Sequence, residues 1–271
     1  MRLVPIMTPF EKAAGAEPSE EMKPNTIYCG DNVNVMREFP DACIDLVVTS
    51  PPYDSLRDYG GHSWDFIGVA NQLTRIIKPG GVIVWVVADA TVNGSETLTS
   101  MRQAIHFKDI CGLRVHDTMI YEKSGVAFPD SNRYLQNTEF MFVFSKGAPK
   151  TTNLIRDRPN KYVGTMGGHN RGGLCTRSEF GIRWNIWRYA NGRDNSSKDR
   201  IAFKHPAIFP DSLASDHIVS WSNEGDIVLD PFAGSGTTCV AAKRAGRNYV
   251  GIDINQEYIE IINQRIDSCC K

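Results

Sequence analysis

The chain of 271 residues lacks any apolar run long enough to cross a membrane and any apolar core of a secretion signal. It has no Cys-x-x-Cys pair and no histidines at metal-ligand spacing, which argues against structural zinc. Its seven cysteines, Cys29, Cys43, Cys111, Cys175, Cys239, Cys269 and Cys270, are an odd number. They read as reduced thiols of a cytoplasmic protein, the neighbouring Cys269 and Cys270 included, with no metal and no membrane partner. An excess of one charge is also missing, since 30 Lys and Arg face 31 Asp and Glu for a net of −1. That balance excludes a chain that is basic throughout. It hides an asymmetry: residues 151–204 hold 11 Lys and Arg against 4 Asp and Glu, a net of +7, leaving −8 for the rest. A phosphate-binding footprint, which needs positive charge, belongs in that segment.

The length suits one large α/β domain or two small ones. Residues 1–24 have no sustained period and read as a flexible N-terminal segment. Strand and helix signals then alternate. The runs Thr26–Cys29, Ile44–Thr49, Val82–Ala88, Thr118–Glu122, Glu139–Phe144, Ile227–Leu229 and Tyr249–Ile252 read as strands. Several are continuous and β-branched, as in parallel sheets buried on both faces. Asp65 caps a helix expected to run to Lys78 and stop at Pro79-Gly80-Gly81, and Ser95 caps another through about Ile110. Asn255 caps the last helix, whose Tyr258, Ile261, Ile262 and Ile266 share one face. This pattern predicts an α/β fold with a doubly wound, mostly parallel sheet. Residues 151–204 interrupt it with glycines and with arginines that alternate with aromatics, as in a loop-rich insert. Trp184 and Trp187 read there as core or anchoring residues.

Two segments carry chemistry. The run from Asp226 to Thr238 is a strand that enters a Gly234-Ser235-Gly236 turn and then a helix. Such a turn lets a ligand approach the backbone and meet unpaired N–H groups. The third glycine of a dinucleotide fingerprint and the lysine of a P-loop are both absent, so neither NAD nor ATP fits well. The next strand ends in Asp253, about where doubly wound folds place an acid on ribose hydroxyls, which suits an adenosine-containing ligand. The glycines as a plain tight turn, with Asp253 as a helix cap, are the simpler alternative. The second segment is the strand Asp45–Thr49 followed by Ser50-Pro51-Pro52-Tyr53. Paired prolines cannot continue a central ladder, and they hold the backbone rigid with free carbonyls.

Together, Thr49-Ser50-Pro51-Pro52-Tyr53 and the later Asp230-Pro231-Phe232-Ala233-Gly234-Ser235-Gly236 resemble the β class of DNA amino-methyltransferases, in which the catalytic motif precedes the cofactor motif. Gly30-Asp31, Lys78-Pro79-Gly80-Gly81 and His205-Pro206 are similar pieces in the same order. The resemblance runs from Thr26 to the C-terminus and implies a Rossmann-like methyltransferase fold that binds S-adenosyl-L-methionine. It implies that Phe232, Gly234, Gly236 and Thr237 line the cofactor path, that Asp253 holds the ribose and that Asp31 faces the adenine. Asp230 would hold the methionine amino end, and His205 and Pro206 would close the pocket. It further implies a catalytic part at 25–150, a target-recognition insert at 151–204 and a cofactor-binding part at 205–271.

An exocyclic base amine is a poor nucleophile because its lone pair is delocalised. Acceptors on its hydrogens free that pair and stabilise the positive charge that develops in the transition state. The Ser50 hydroxyl and the Pro51 carbonyl are the natural acceptors, Pro52 stiffens the segment, and Tyr53 would stack on a base flipped from the duplex. Carbon methylation needs a nucleophilic Cys, commonly in a Pro-Cys pair, and no Pro-Cys occurs. Ser at the first catalytic position resembles the cytosine-N4 enzymes more than the adenine-N6 enzymes. An RNA or protein substrate and a non-catalytic nucleic-acid-binding protein are the competing readings. Arg171, Arg177, Arg183, Arg188 and Arg193 are the candidate contacts to double-stranded DNA. The resemblance also admits a homodimer and a separate cognate endonuclease.

Overall fold

In the computed structural model of the chain we describe residues 22–53, 64–125, 132–167, 174–190, 192, 196–197, 199–204 and 210–269. Most of the expected flexible N-terminal segment, residues 1–21, lies outside them. The first half builds β1 (Thr26–Cys29), α1 (Asn32–Arg37), β2 (Ile44–Thr49), α2 (Phe66–Ile76), β3 (Ile77–Val87), β4 (Thr91–Val92), β5 (Ser95–Glu96) and α3 (Thr99–Ile105). A π-helical turn (His106–Ile110) extends α3 and leads to β6 (Arg114–Lys123) and β7 (Thr138–Ser145). Short strands follow: β8 (Arg156–Pro159), β9 (Gly164–Gly167), β10 (Leu174–Arg177), β11 (Phe180–Ile182) and β12 (Ile186–Tyr189). A 3-10 turn (Arg200–Lys204), α4 (Asp211–Trp221), β13 (Ile227–Asp230), α5 (Thr237–Arg244), β14 (Asn248–Asp253) and α6 (Gln256–Ser268) complete the chain.

Eight strands form one sheet in the order β1-β14-β13-β2-β3-β7-β6-β12. The five from β1 to β3 are parallel, and β7 runs antiparallel to β3 and β6. The alternation along β3 shows why both faces are covered. Val82, Val84 and Val86 join a core with residues of α4, α5 and α6, while Ile83, Trp85 and Val87 join one with residues of α1, α2 and α3. The expected doubly wound, mostly parallel sheet is present. The chain leaves β2 towards β3 on one side, and β13 towards β14 on the other. The crevice between the carboxyl ends of β2 and β13 is therefore a topological switch point, where doubly wound folds bind ligands.

Several local expectations change. Asp65 does cap α2, accepting the Gly68 N–H at 3.0 Å. The helix ends at Ile76 rather than Lys78, because Pro79 disfavours helical backbone in the residue before it, and Ile77 is already extended. Ser95 caps no helix. Asn93-Gly94, both at positive φ, turn β4 into β5, and α3 starts only at Thr99. Asp89 satisfies the start of α3 from outside, accepting from the Ser100 N–H at 2.8 Å and its hydroxyl at 2.6 Å. Asn255 caps α6 as expected, accepting the Glu257 N–H at 2.8 Å. The insert has more strand than its composition suggests. Its β12 pairs with β6 as the last strand of the main sheet, so 151–204 is anchored in the fold.

Candidate active site at the carboxyl ends of the parallel strands

Thr49, the last residue of β2, donates from its hydroxyl to Asp230, the last residue of β13, at 2.7 Å. Thr238 of α5 donates to the Val48 carbonyl at 3.2 Å. These bonds join the Ser-Pro-Pro-Tyr strand to the glycine turn. Asp230 is 6% exposed and also accepts the Phe232 N–H at 3.1 Å. Burial pushes its carboxyl up to about 6, and the neighbouring Asp253 adds to the effect against the hydrogen bonds of Thr49, Phe232 and Thr238.

Asp253 ends β14. Its carboxylate accepts the Gly234 N–H at 2.8 Å and the Asn255 N–H at 2.9 Å, so it is fixed on both oxygens beside the turn. Burial again is the main cause that raises its carboxyl above the ordinary range. Gly234 and Gly236 have φ of 51° and 79°, which disfavour a side chain. A Cβ on Gly236 would also lie 2.7 Å from Ile262, so α6 packs directly on the turn. Thr237 is buried at the start of α5. Asp31 stands just beyond β1 and caps α1, accepting the Asn34 N–H at 2.9 Å. Phe232 is half-buried, edge-on to Trp64 at 5.0 Å and to Trp85 at 6.4 Å.

At the other lip, Pro51 is buried, and Ser50, Pro52 and Tyr53 are half-buried. The Ser50 Oγ and the Tyr53 hydroxyl lie 2.7 Å apart. Tyr53 donates to Glu139 Oε2 at 2.9 Å, and Lys123 Nζ donates to Glu139 Oε1 at 3.2 Å. Glu139, Trp64 and Thr49 were not singled out from the sequence. The available signals were an acid at the head of the apolar run of β7 and a Trp beside the Asp65 cap.

The arginines of the insert divide. Arg183, expected as a nucleic-acid contact, has its guanidinium engaged within the protein. It donates to Asp157 at 2.8 Å and to Asp216 at 2.6 Å, with its face over Trp187 at 5.1 Å. Arg188 is exposed but bonds both oxygens of Glu122, at 2.8 and 2.9 Å. Arg177 is exposed on β10. Arg171, Arg193, His205 and Pro206 lie outside the described residues. Of the two tryptophans expected as core or anchoring residues, Trp187 is core at 6% exposure, whereas Trp184 is 66% exposed beneath the Arg158 guanidinium and is not core.

The residues fit S-adenosyl-L-methionine. Asp230 and Asp253 form no ion pair among the described residues, and each is raised by burial, so the ammonium of the methionine end complements Asp230 and the ribose hydroxyls can donate to Asp253. The half-buried Phe232 supplies an apolar wall beside them. A sequence model of the N6/N4 methyltransferase family, described as DNA methylase, matches residues 44–264. The chain is 53% identical over 240 residues to the orphan methyltransferase M.BamHII of Bacillus amyloliquefaciens, across 83% of this chain and 89% of the relative. It is 27% identical over 273 residues to the DNA adenine methyltransferase YhdJ of Escherichia coli K12, across 93% and 86%. The fold matches the cytosine-N4-specific PvuII DNA methyltransferase with a TM-score of 0.68 at 22% identity, over 93% of this chain and 89% of that one. It matches a putative DNA modification methylase of Thermus thermophilus, solved with S-adenosyl-L-methionine, with a TM-score of 0.60 at 25% identity, over 90% and 95%. The chain belongs to the N6/N4 DNA methylase family and is an S-adenosylmethionine-dependent DNA amino-methyltransferase.

Proposed function

We propose that the enzyme methylates the N4 amino group of cytosine in double-stranded DNA. The observation that carries this reading is a neutral hydroxyl, Ser50, at the first position of the Ser-Pro-Pro-Tyr segment, set beside the crevice between β2 and β13. In this reading Asp31, Asp230, Phe232, Gly234, Gly236, Thr237 and Asp253 hold the cofactor, and His205 and Pro206 close over it. When bound, the cofactor supplies a methyl group made electrophilic by its sulfonium. Ser50 Oγ and the Pro51 carbonyl accept the two amine hydrogens, which localises the nitrogen lone pair. Pro51 and Pro52 keep these acceptors from relaxing away, so their orientation is set before the reaction begins. Tyr53 stacks on the extruded base and offsets an unstacking cost of about a few kcal/mol.

Residues 25–150 then form the catalytic part, 151–204 the recognition insert and 205–271 the cofactor-binding part. Among the expected DNA contacts, exposed Arg177 and Arg188 and the arginines at 171 and 193 remain in the reading, and Arg183 does not. We read the enzyme as cytoplasmic, and its 53% identical relative is described as an orphan methyltransferase. A homodimer and a separate endonuclease are tested by sedimentation and by restriction of DNA from cells that express the chain.

Adenine N6 is the second reading, supported by the similarity to a relative named as a DNA adenine methyltransferase. Mass spectrometry of nucleosides from treated DNA decides between the two. N4-methylcytosine is expected, and N6-methyladenine alone overturns the proposal.

A further inference from the structure

Beside the catalytic segment stands an acid that the mechanism above leaves unassigned. Glu139, at the head of β7, has a side chain only 15% exposed and lies 86 residues from Tyr53 in sequence. Lys123 occupies its Oε1, and Tyr53 occupies its Oε2. The carboxylate fixes the direction of every hydrogen bond in this chain. Ionised carboxylate oxygens only accept, so Tyr53 must donate its one hydroxyl proton to Glu139. The 2.7 Å contact between Tyr53 and Ser50 then requires Ser50 to be the donor. With its proton turned towards Tyr53, Ser50 Oγ presents only lone pairs to an approaching amine.

We propose that Glu139 sets the polarity of Ser50 and is the final acceptor of the proton that methylation releases. The proposal rests on the reading of Ser50 and Tyr53 given above. As the nitrogen lone pair forms the new N–C bond, the methyl–sulfur bond breaks with its electron pair left on sulfur, and the nitrogen gains positive charge with one hydrogen too many. One N–H bond breaks, and its electron pair returns to the nitrogen. The proton goes to Ser50 Oγ as the Ser50 proton passes to the Tyr53 oxygen and the Tyr53 proton passes to Glu139 Oε2. Glu139 becomes a neutral carboxylic acid, Ser50 and Tyr53 end as hydroxyls, and the base amine is neutral. Solvent reaches the partly exposed Glu139 and removes the proton. Glu139 is a positioning residue, because it acts through Tyr53 and Ser50 and touches no substrate.

Single-turnover methyl transfer at saturating DNA and S-adenosylmethionine tests the relay, with binding of each ligand and thermal unfolding measured on the same variants. Glu139→Gln is expected to slow transfer by roughly 100-fold, the scale of one proton-transfer group, while both Kd values stay within about twofold. Added formate should restore part of the rate to Glu139→Ala, which a purely structural role would not allow. Tyr53→Phe breaks the same chain without disturbing Lys123, so it serves where Glu139 variants fold poorly. The double variant should be no slower than the slower single one, because both interrupt one path. A wild-type rate in Glu139→Gln or Tyr53→Phe overturns the relay, as does a multiplicative loss in the double variant. Ser50→Ala separates the two levels: if it is inactive while Glu139→Gln is not, only the relay fails. If Ser50→Ala keeps full activity, the reading of the site fails with it.

Discussion

The carboxyl edge of the parallel strands and the basic insert treat charge in opposite ways. At the edge, Asp230 and Asp253 are held by hydroxyls and backbone N–H groups and have no cationic partner among the described residues. In the insert, Arg183 meets Asp157 and Asp216, and Arg188 meets Glu122. A buried charge without a partner is costly, so the edge is poised for a cationic ligand, whereas a charge already paired has less to offer one. The net of +7 over 151–204 therefore overstates the surface available to phosphate. Fold anchoring takes part of it.

The largest effect should come from the edge. Ser50→Ala is expected to slow single-turnover methyl transfer by about 100- to 1,000-fold, the scale of losing one oriented group in a preorganised site. Unchanged cofactor binding, read by calorimetry, would place that loss in the chemical step. Asp253→Ala should weaken S-adenosylmethionine binding by about 10- to 100-fold, as for loss of a charged hydrogen-bonding group, with DNA affinity preserved. Cofactor affinity should also fall as the pH drops through 6, because Asp230 then takes up a proton and loses the charge that attracts the ligand. A flat profile between pH 5 and 7 would remove Asp230 from that role.

In the insert the response should be one of stability. Arg183→Ala removes the cation that the partly exposed Asp157 and Asp216 share, and we expect a loss of about 1 kcal/mol in urea unfolding. If instead stability holds and DNA binding collapses, the contrast between the two regions is wrong. His217 of α4 sharpens the same point. It is fully buried, accepts from the Trp221 indole at 3.3 Å and lies 4.5 Å from the Trp187 ring. Burial first, and Arg183 second, lower its ionisation to about 3 from the ordinary 6.5. A depressed value means the unfolded chain binds more protons, so this stability is present above about pH 6.5 and is lost as the pH falls towards 3. A loss of about 2 kcal/mol between pH 7 and 5 is expected, and a His217→Gln variant should lack it. The smallest effect belongs to exposed Arg177. Its replacement by Ala should weaken DNA binding about threefold and lower the salt slope by about one.

Much of this was legible locally. Asp65 and Asn255 announce helix starts because a cap bonds within three residues of itself, and β2 and β3 announce strands through continuous apolar runs. The Asn93-Gly94 turn carried an equally local hairpin signal, but it was masked by the helical reading of Ser95 to Ile110. Glu139 and Arg183 were beyond this kind of reading. A lone acid on a strand and one arginine among many acquire meaning only from their partners.

By itself, the sequence determined most strands of the main sheet and the position of the Ser-Pro-Pro-Tyr and glycine-turn motifs at strand ends, which depend on periodicity, backbone restriction and short spacings. The class of chemistry came from the family that those motifs resemble. Only the tertiary structure decided that Thr49 meets Asp230, 181 residues away, and that Tyr53 meets Glu139. It alone decided which arginines face solvent and which are paired. Sheet order and charge pairing are set by non-local packing, and a side chain carries no mark of the neighbour that will neutralise it.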